Sequence, residues 1–273
     1  MTEAKVQLGR ALFTDVRLSR TGRVSCATCH DPQHAFSDPR GTSIGALGDE
    51  LPLNSPSLWN VVYFASLGWT ESGRRRLEHH HEQPLTNTAP VELGLQQPQL
   101  DALWQDAAVR GAVRKAFGDV DALHLDHLTY ALASYLRTLV RGGAALDRYL
   151  FNDDASALTQ QQRAGLELFL SPRLNCTACH RGPLLSGPTV SQTAPFEPMF
   201  YNTGVASTGA AFRAPSLRFA GETAPYMHNG SIATLPEVVR FYERGGGVGA
   251  QHLEPFTLSE TERDALVAFL KSL

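Results

Sequence analysis

This sequence has little to attract a polyanion or a bilayer. Its 24 Lys and Arg are outnumbered by 27 Asp and Glu, giving a formal net charge of −3, so there is no basic footprint for nucleic acid or anionic lipid. No uninterrupted apolar run approaches the ~20 residues that span a bilayer, so a soluble protein without membrane insertion is expected. The opening Met1-Thr2-Glu3-Ala4-Lys5 lacks the apolar stretch of a secretion signal. Strand-like alternation is scarce. Cysteine is scarce as well, with four in the whole chain, and spacing has to decide what they do.

Both pairs are CxxC followed directly by His: Cys26-Ala27-Thr28-Cys29-His30 and Cys176-Thr177-Ala178-Cys179-His180. A zinc site would gather all four thiolates at one metal across a much shorter stretch, and would need no His after each pair. A thioredoxin-like dithiol would want a βαβ context, whereas both segments follow helical patterns and run into Pro/Gly-rich loops. Covalent haem explains the spacing and the histidine together. Two thioethers fix the porphyrin edge, and His30 or His180 reaches the iron as proximal ligand. Two haem c groups are therefore expected. Their attachment is ordinarily completed outside the cytoplasm, so the chain reads as mature or trimmed and periplasmic.

At 273 residues the chain can build two modest cores. Its halves echo one another. Gly9-Arg10-Ala11-Leu12-Phe13 precedes Arg17-Leu18 and the first haem motif, and Gly165-Leu166-Glu167-Leu168-Phe169 precedes Arg173-Leu174 and the second. Leu128, Leu132, Tyr135, Leu136 and Leu139 follow helical spacing, with Gly142-Gly143 as a stop. Thr159 with Gln162 and Ser259 with Glu262 fit capping boxes, the second leading into Leu266, Phe269 and Leu270. Long Pro/Gly/Asn-rich stretches, 31–58 and 181–236, need something to pack on, and haem supplies it. The expected fold is all-α: two cytochrome c-like haem domains with long loops, residues 1–154 and 155–273, divided near Asn152-Asp153-Asp154-Ala155-Ser156.

Motifs spread over nearly the whole chain resemble the bacterial di-haem cytochrome c peroxidase superfamily. They are Leu8 to Phe13, Ser25 to His30, Ala35-Phe36-Ser37-Asp38, Asn54-Ser55-Pro56-Ser57-Leu58, Phe212 to Arg218 and Thr223 to Gly230. Pro84 to Gly94 and Tyr242-Glu243-Arg244-Gly245-Gly246 resemble its MauG/MbnH-like branch. The resemblance implies an open, peroxide-binding N-terminal haem, a six-coordinate C-terminal haem, a Trp between them and a calcium ion. Trp69 matches that Trp, and its bland reading is a core aromatic like Trp59 or Trp104. Glu92 matches the distal carboxylate that moves a proton between the peroxide oxygens, where a lone loop Glu would ordinarily be a solvated charge. Asn54, Thr223 and Pro225 match the calcium ligands, though each alone is an ordinary turn residue.

The sixth ligand of the second haem stays open on the residues alone. Met199 and Met227 are the downstream methionines, and Met is the usual partner in electron-transfer cytochromes. The family's spacing after Thr223 and Pro225 falls instead on Tyr242, which is Tyr in the MauG-like branch, and an anionic phenolate favours higher oxidation states. A second departure lies four residues before Pro84. Many family members have Gln there, and this chain has His80, within Glu78-His79-His80-His81-Glu82. It reads as a solvated polar turn, as a distal hydrogen-bonding His, or as a ligand that closes the first haem. His34, His124, His127 and His252 read as surface or helix residues, and His228 as ordering its own loop.

Three functions compete. In the first, the resemblance implies a periplasmic oxidoreductase that uses hydrogen peroxide to form a high-valent two-haem state. It then oxidises a partner protein's side chain, often Trp, by long-range electron transfer. The second is a cytochrome c peroxidase fed by a small cytochrome or cupredoxin. The third is a non-catalytic di-haem electron carrier.

Overall fold

The computed structural model describes residues 1–70, 76–187, 200–206, 209–251 and 253–273. The chain forms two compact units, one of Met1–Val62 and Gly73–Val140, the other of Tyr63–Ser72 and Arg141–Leu273. The change of unit falls at Val140, earlier than the division read near Asp154. The stretch 63–72 joins the second unit because Trp69 and Gly68 give their carbonyls to Arg213, which no local sequence pattern announces.

The first unit holds α1 (Glu3–Phe13), α2 (Cys26–Cys29), α3 (Leu77–Thr86), α4 (Gln97–Gln105), α5 (Ala107–Phe117) and α6 (Leu125–Leu136). α1 starts where Thr2 accepts from the Lys5 amide, and it packs across α6. Gly9 makes that crossing close: a Cβ there would lie 2.0 Å from the Ala131 carbonyl oxygen. One turn further, Phe13 meets Tyr135 edge-on at 5.3 Å. Phe13, Leu12, Leu128 and Leu132 are buried, each contributing roughly 1.5–3 kcal/mol of transfer free energy. α6 ends at Leu136, short of the buried Leu139 that continued its pattern, because Thr138 turns its hydroxyl onto the Tyr135 carbonyl at 2.7 Å. The tract 78–82, one of whose readings was a polar turn, lies within α3. That helix packs on α6 and is tied to its end by Glu78–Arg137 at 2.7 Å.

The second unit holds α7 (Ala145–Phe151), α8 (Gln160–Leu170), the short antiparallel strands β1 (Phe200–Tyr201) and β2 (Phe212–Arg213), α9 (Leu235–Glu243) and α10 (Glu260–Leu270). Both expected capping boxes form: Gln162 N–H donates to Thr159 and Glu262 N–H to Ser259, each at 3.2 Å, and each side chain answers in return. A third box, Thr234 with Glu237, opens α9. The α8–α10 pair repeats the first unit's crossing. A Cβ on Gly165 would lie 2.0 Å from the Ala265 carbonyl, and Phe169 meets Phe269 at 5.4 Å. The weak sequence echo therefore has a physical cause. Each copy needs one glycine where a helix backbone meets a carbonyl, and one aromatic a turn later. The fold is mostly helical, as expected, with long loops following the haem motifs.

Candidate haem sites

In the first unit the motif occupies α2, opened by Ser25, whose N–H donates to the Thr28 hydroxyl at 2.9 Å. His30 closes the turn, its N–H donating to the Cys26 carbonyl at 2.8 Å. Its ring is oriented by two acceptors: Nδ1 lies 3.1 Å from both the Phe36 and the Pro56 carbonyl oxygens. Carbonyls cannot donate, so Nδ1 carries the proton and Nε2 keeps its lone pair for iron. Burial also pushes the His30 pKa below its usual value, which favours the neutral ligand form.

The second site repeats this cage bond for bond. His180 Nδ1 donates to the Leu185 carbonyl at 3.0 Å and to that of Pro215. Leu58 N–H donates to Phe36 and Leu217 N–H to Leu185, each at 3.3 Å. Ser57 donates to Ala35 at 2.6 Å, and Ser216 to Leu184 at 2.7 Å. Phe36 and Leu185 both adopt left-handed backbone, φ 55° and 48°, which turns their carbonyls toward the rings. Ser-Pro-Ser-Leu at 55–58 and Ala-Pro-Ser-Leu at 214–217 are thus copies of one proximal loop. Their shared Pro-Ser-Leu was the sequence signal for a role that the reading of single residues missed.

The cysteines suit thioether chemistry. All four are free of disulfides. Burial pushes the Cys26 thiol up to about 12 and the Cys176 thiol to about 11, the opposite of what a zinc thiolate or reactive dithiol requires. Among the described residues no three His, Cys, Asp or Glu side chains converge as a metal site. A paired thiol edge with an oriented Nε2 beyond it fits haem c at both places.

Around these matching cages the two units differ. Near the first motif, Glu92 is close enough for its charge to raise the Cys26 pKa, and burial raises its own. Backbone bonds hold it on both sides: the Ala46 N–H donates to the Glu92 carbonyl at 2.7 Å, and the Leu93 N–H to that of Pro84, inside α3, at 3.0 Å. His80 is half-buried on α3. Its neighbour His81, passed over in the sequence, is the more buried imidazole, and its Nδ1 has no hydrogen-bond partner in the protein. Burial, then the charge of His80, pushes the His81 pKa down to about 3, with His30 near enough to lower it further. Asp38 is fully buried and accepts from Arg40 at 2.7 and 2.8 Å and from Ser43 at 2.7 Å. Burial opposes its charge, yet these hydrogen bonds hold its pKa below the usual value.

Near the second motif, Tyr242 on α9 has its phenol pushed well above the usual range by burial, with Cys179 and Cys176 close enough to add to the shift. Met227 stands at the head of a turn closed by Gly230 N–H to its carbonyl at 3.1 Å, its own φ 74°. Met199 and His252 lie outside the described residues. Trp69 is buried in the second unit, its carbonyl taking the Arg213 N–H at 2.8 Å. His228 does more than order its own loop: it stacks on Phe212 at 3.5 Å and meets Trp69 edge-on at 6.4 Å. Among the expected calcium ligands, Asn54 is buried and donates to the Asp38 and Arg40 carbonyls at 3.2 and 2.8 Å. Thr223 and Pro225 flank Ala224 in the second unit. His124 caps α6, and His127 lies in its first turn.

Two helical units, each presenting a CxxCH motif with its histidine oriented by a duplicated loop, define a di-haem c-type cytochrome. Residues 3–155 match the family model described as di-haem cytochrome c peroxidase. The methylamine utilization protein MauG of Methylorubrum extorquens is 35% identical, over 100% of this chain and 79% of that one. The cytochrome-c peroxidase IdrP2 of Denitromonas iodatirespirans is also 35% identical, over 98% and 81%. A crystal structure of a MauG-like protein associated with microbial copper homeostasis superposes with a TM-score of 0.91 at 30% identity, over 100% of this chain and 90% of that one. The chain belongs to the di-haem cytochrome c peroxidase family. Among the described residues no helix is long and apolar enough to cross a membrane.

Proposed function

We propose that this chain is a periplasmic oxidoreductase that reduces hydrogen peroxide and draws the electrons from a side chain of a partner protein, such as a tryptophan. The bound haems would supply the iron that takes up peroxide and exchanges electrons; the chain's own residues do the rest. Glu92 receives a proton at its carboxylate from one peroxide oxygen and returns it to the other, and burial makes it a better proton carrier than an exposed Glu. His30 and His180 hold the two irons, and Trp69 carries electrons. Tyr242 would hold the second iron together with His180. Asn54, Thr223 and Pro225 as calcium ligands rest on the resemblance alone.

The observation that supports this reading most is Tyr242 itself, half-buried on α9 with both cysteines of the second motif within electrostatic reach of its phenol. A phenolate stabilises oxidised iron better than a thioether, which suits holding oxidising equivalents for a large partner. The second reading is a peroxidase supplied by a small cytochrome or cupredoxin, favoured by the relatives named cytochrome-c peroxidase. Mixing ferric protein with peroxide in the absence of any donor separates the two. The first reading expects a long-lived near-infrared absorption, discharged by a tryptophan-bearing protein; its absence, with rapid discharge by a small redox protein, supports the second.

A further inference from the structure

We propose that Tyr201 is the redox exit of the second unit, the side chain through which oxidising equivalents pass to a docked partner. The inference deepens the function proposed above and rests on it.

Three observations carry it. The Tyr201 hydroxyl stands 3.5 Å from the Ala178 carbonyl oxygen, inside the second CxxCH turn, and lies within hydrogen-bonding reach of the Cys179 sulfur. Cys179 supplies one of the two thioethers that fix a porphyrin edge, so the phenol touches a residue that anchors the haem. Second, Tyr201 lies opposite Phe212 in the two-stranded sheet, and directly opposed residues of an antiparallel pair share one face. Phe212 stacks on His228 with ring centres 3.5 Å apart and planes inclined by 8°, and His228 meets Trp69 edge-on at 6.4 Å. Third, the hairpin is tied to the stretch that bears the indole: Arg213 donates from its backbone N–H to the Trp69 carbonyl at 2.8 Å and from Nε to the Gly68 carbonyl at 3.1 Å. Tyr201 is only half-buried, so the row Trp69, His228, Phe212, Tyr201 ends at solvent.

Trp69 and Tyr201, at the two ends of the row, are its oxidisable members, because an indole or phenol radical is delocalised over its ring. Phe212 and His228 fill the gap between them. Burial holds the Tyr201 phenol above its usual pKa, so it keeps its proton until an electron leaves. When Tyr201 yields that electron inward, its proton passes to water, which a half-buried hydroxyl can reach. The phenoxyl then takes an electron from the partner's side chain and a proton from water, and the phenol is restored. Reducing one hydrogen peroxide to two waters takes two electrons and two protons, so each peroxide drives two such cycles. Without a partner, the phenoxyls of two chains couple instead. Each phenol gives up one electron and one proton, one carbon–carbon bond forms between the rings, and the peroxide becomes two waters. Exposure alone would choose other residues, since Tyr63 and Tyr130 are 47% and 49% exposed.

Two measurements on the holoprotein test it. With peroxide and no donor, parent chains should form dityrosine-linked dimers, and peptide mapping should place the link at Tyr201. Tyr201→Phe should lose the dimers while its haem spectra answer peroxide as the parent's do; Tyr63→Phe and Tyr130→Phe should keep them. In the second measurement, azide radicals from pulse radiolysis oxidise aromatic side chains of the dithionite-reduced protein, with no peroxide present. A phase independent of protein concentration should follow, in which the phenoxyl is refilled as ferrous haem is oxidised, and Tyr201→Phe should lose that phase. The proposal falls if the phase persists in Tyr201→Phe, if the link maps elsewhere, or if parent chains with responsive haems form no link. Haems that ignore peroxide would instead overturn the proposed function, and the radiolysis phase would still decide whether Tyr201 joins the surface to the second site.

Discussion

The carbonyl oxygen of Pro56 stands 3.1 Å from Nδ1 of His30, across 26 residues of chain. That contact sets the tautomer of the ligand and is itself held by Asp38. The Asp38 N–H donates to the Ser55 carbonyl at 3.1 Å, and Ser43 bonds both the Asp38 carboxylate and the Ser55 hydroxyl at 2.7 Å.

Asp38→Asn should therefore destabilise the first unit by about 3 kcal/mol, toward the low end for a broken buried pair because Arg40 is partly exposed. The folded-state pKa of Asp38 is depressed, so its contribution is present above the ordinary carboxylate value of about 3.9 and is lost as pH falls through the folded value. Urea denaturation of parent and variant should thus diverge at neutral pH and converge under strong acid.

Gly9→Ala and Gly165→Ala each drive a Cβ to 2.0 Å from a backbone carbonyl that belongs to another helix. Each should cost about 1–3 kcal/mol or more in thermal unfolding. Gly111, on α5 with open space where its Cβ would be, is the control. Gly111→Ala should stabilise by about 0.5–1 kcal/mol.

Glu92→Gln should leave the resting haem spectra unchanged and slow peroxide consumption roughly 10²–10⁴-fold. Only the carboxylate can accept the first proton, so the parent's rate should rise with pH through the Glu92 pKa. Burial places that limb above the ordinary carboxylate range. It should be missing from the variant's pH profile.

Tyr242→Phe should convert the second haem from six-coordinate low spin to high spin in electron paramagnetic resonance, and Met227→Leu should not. The reverse result would make Met227 the ligand and favour the small-donor peroxidase.

His81→Leu should alter the spin state or peroxide rate of the first haem more than His80→Leu does, because His81 is the imidazole buried within electrostatic range of His30. Equal effects, or a larger one from His80, would restore the sequence's preference for His80.

Much of this was legible from residues alone because thioether haem attachment is local chemistry. Cys26, Cys29 and His30 must be neighbours in sequence to reach one porphyrin edge and one iron, and so must Cys176, Cys179 and His180. Capping boxes at Thr159 and Ser259 are equally local. The burial of His80 against that of His81 shows the limit. Adjacent residues on a helix point about 100° apart, and only the packing of α3 on α6 decides which is buried. Arg213 was invisible for a related reason: its partners Phe64, Gly68 and Trp69 lie far away in sequence, on a stretch that changes unit.

By itself, then, the sequence determined that two haems are held, by which six residues, and in a helical duplicated chain, since each of those facts needs only short-range spacing. The tertiary structure decided which carbonyls orient the histidines, which imidazole is buried beside His30, that Tyr242 lies near the second cysteine pair, and that Arg213 reaches Phe64, Gly68 and Trp69. Those depend on groups brought together by loop closure and burial, whose energies are set by surroundings that residue order does not display.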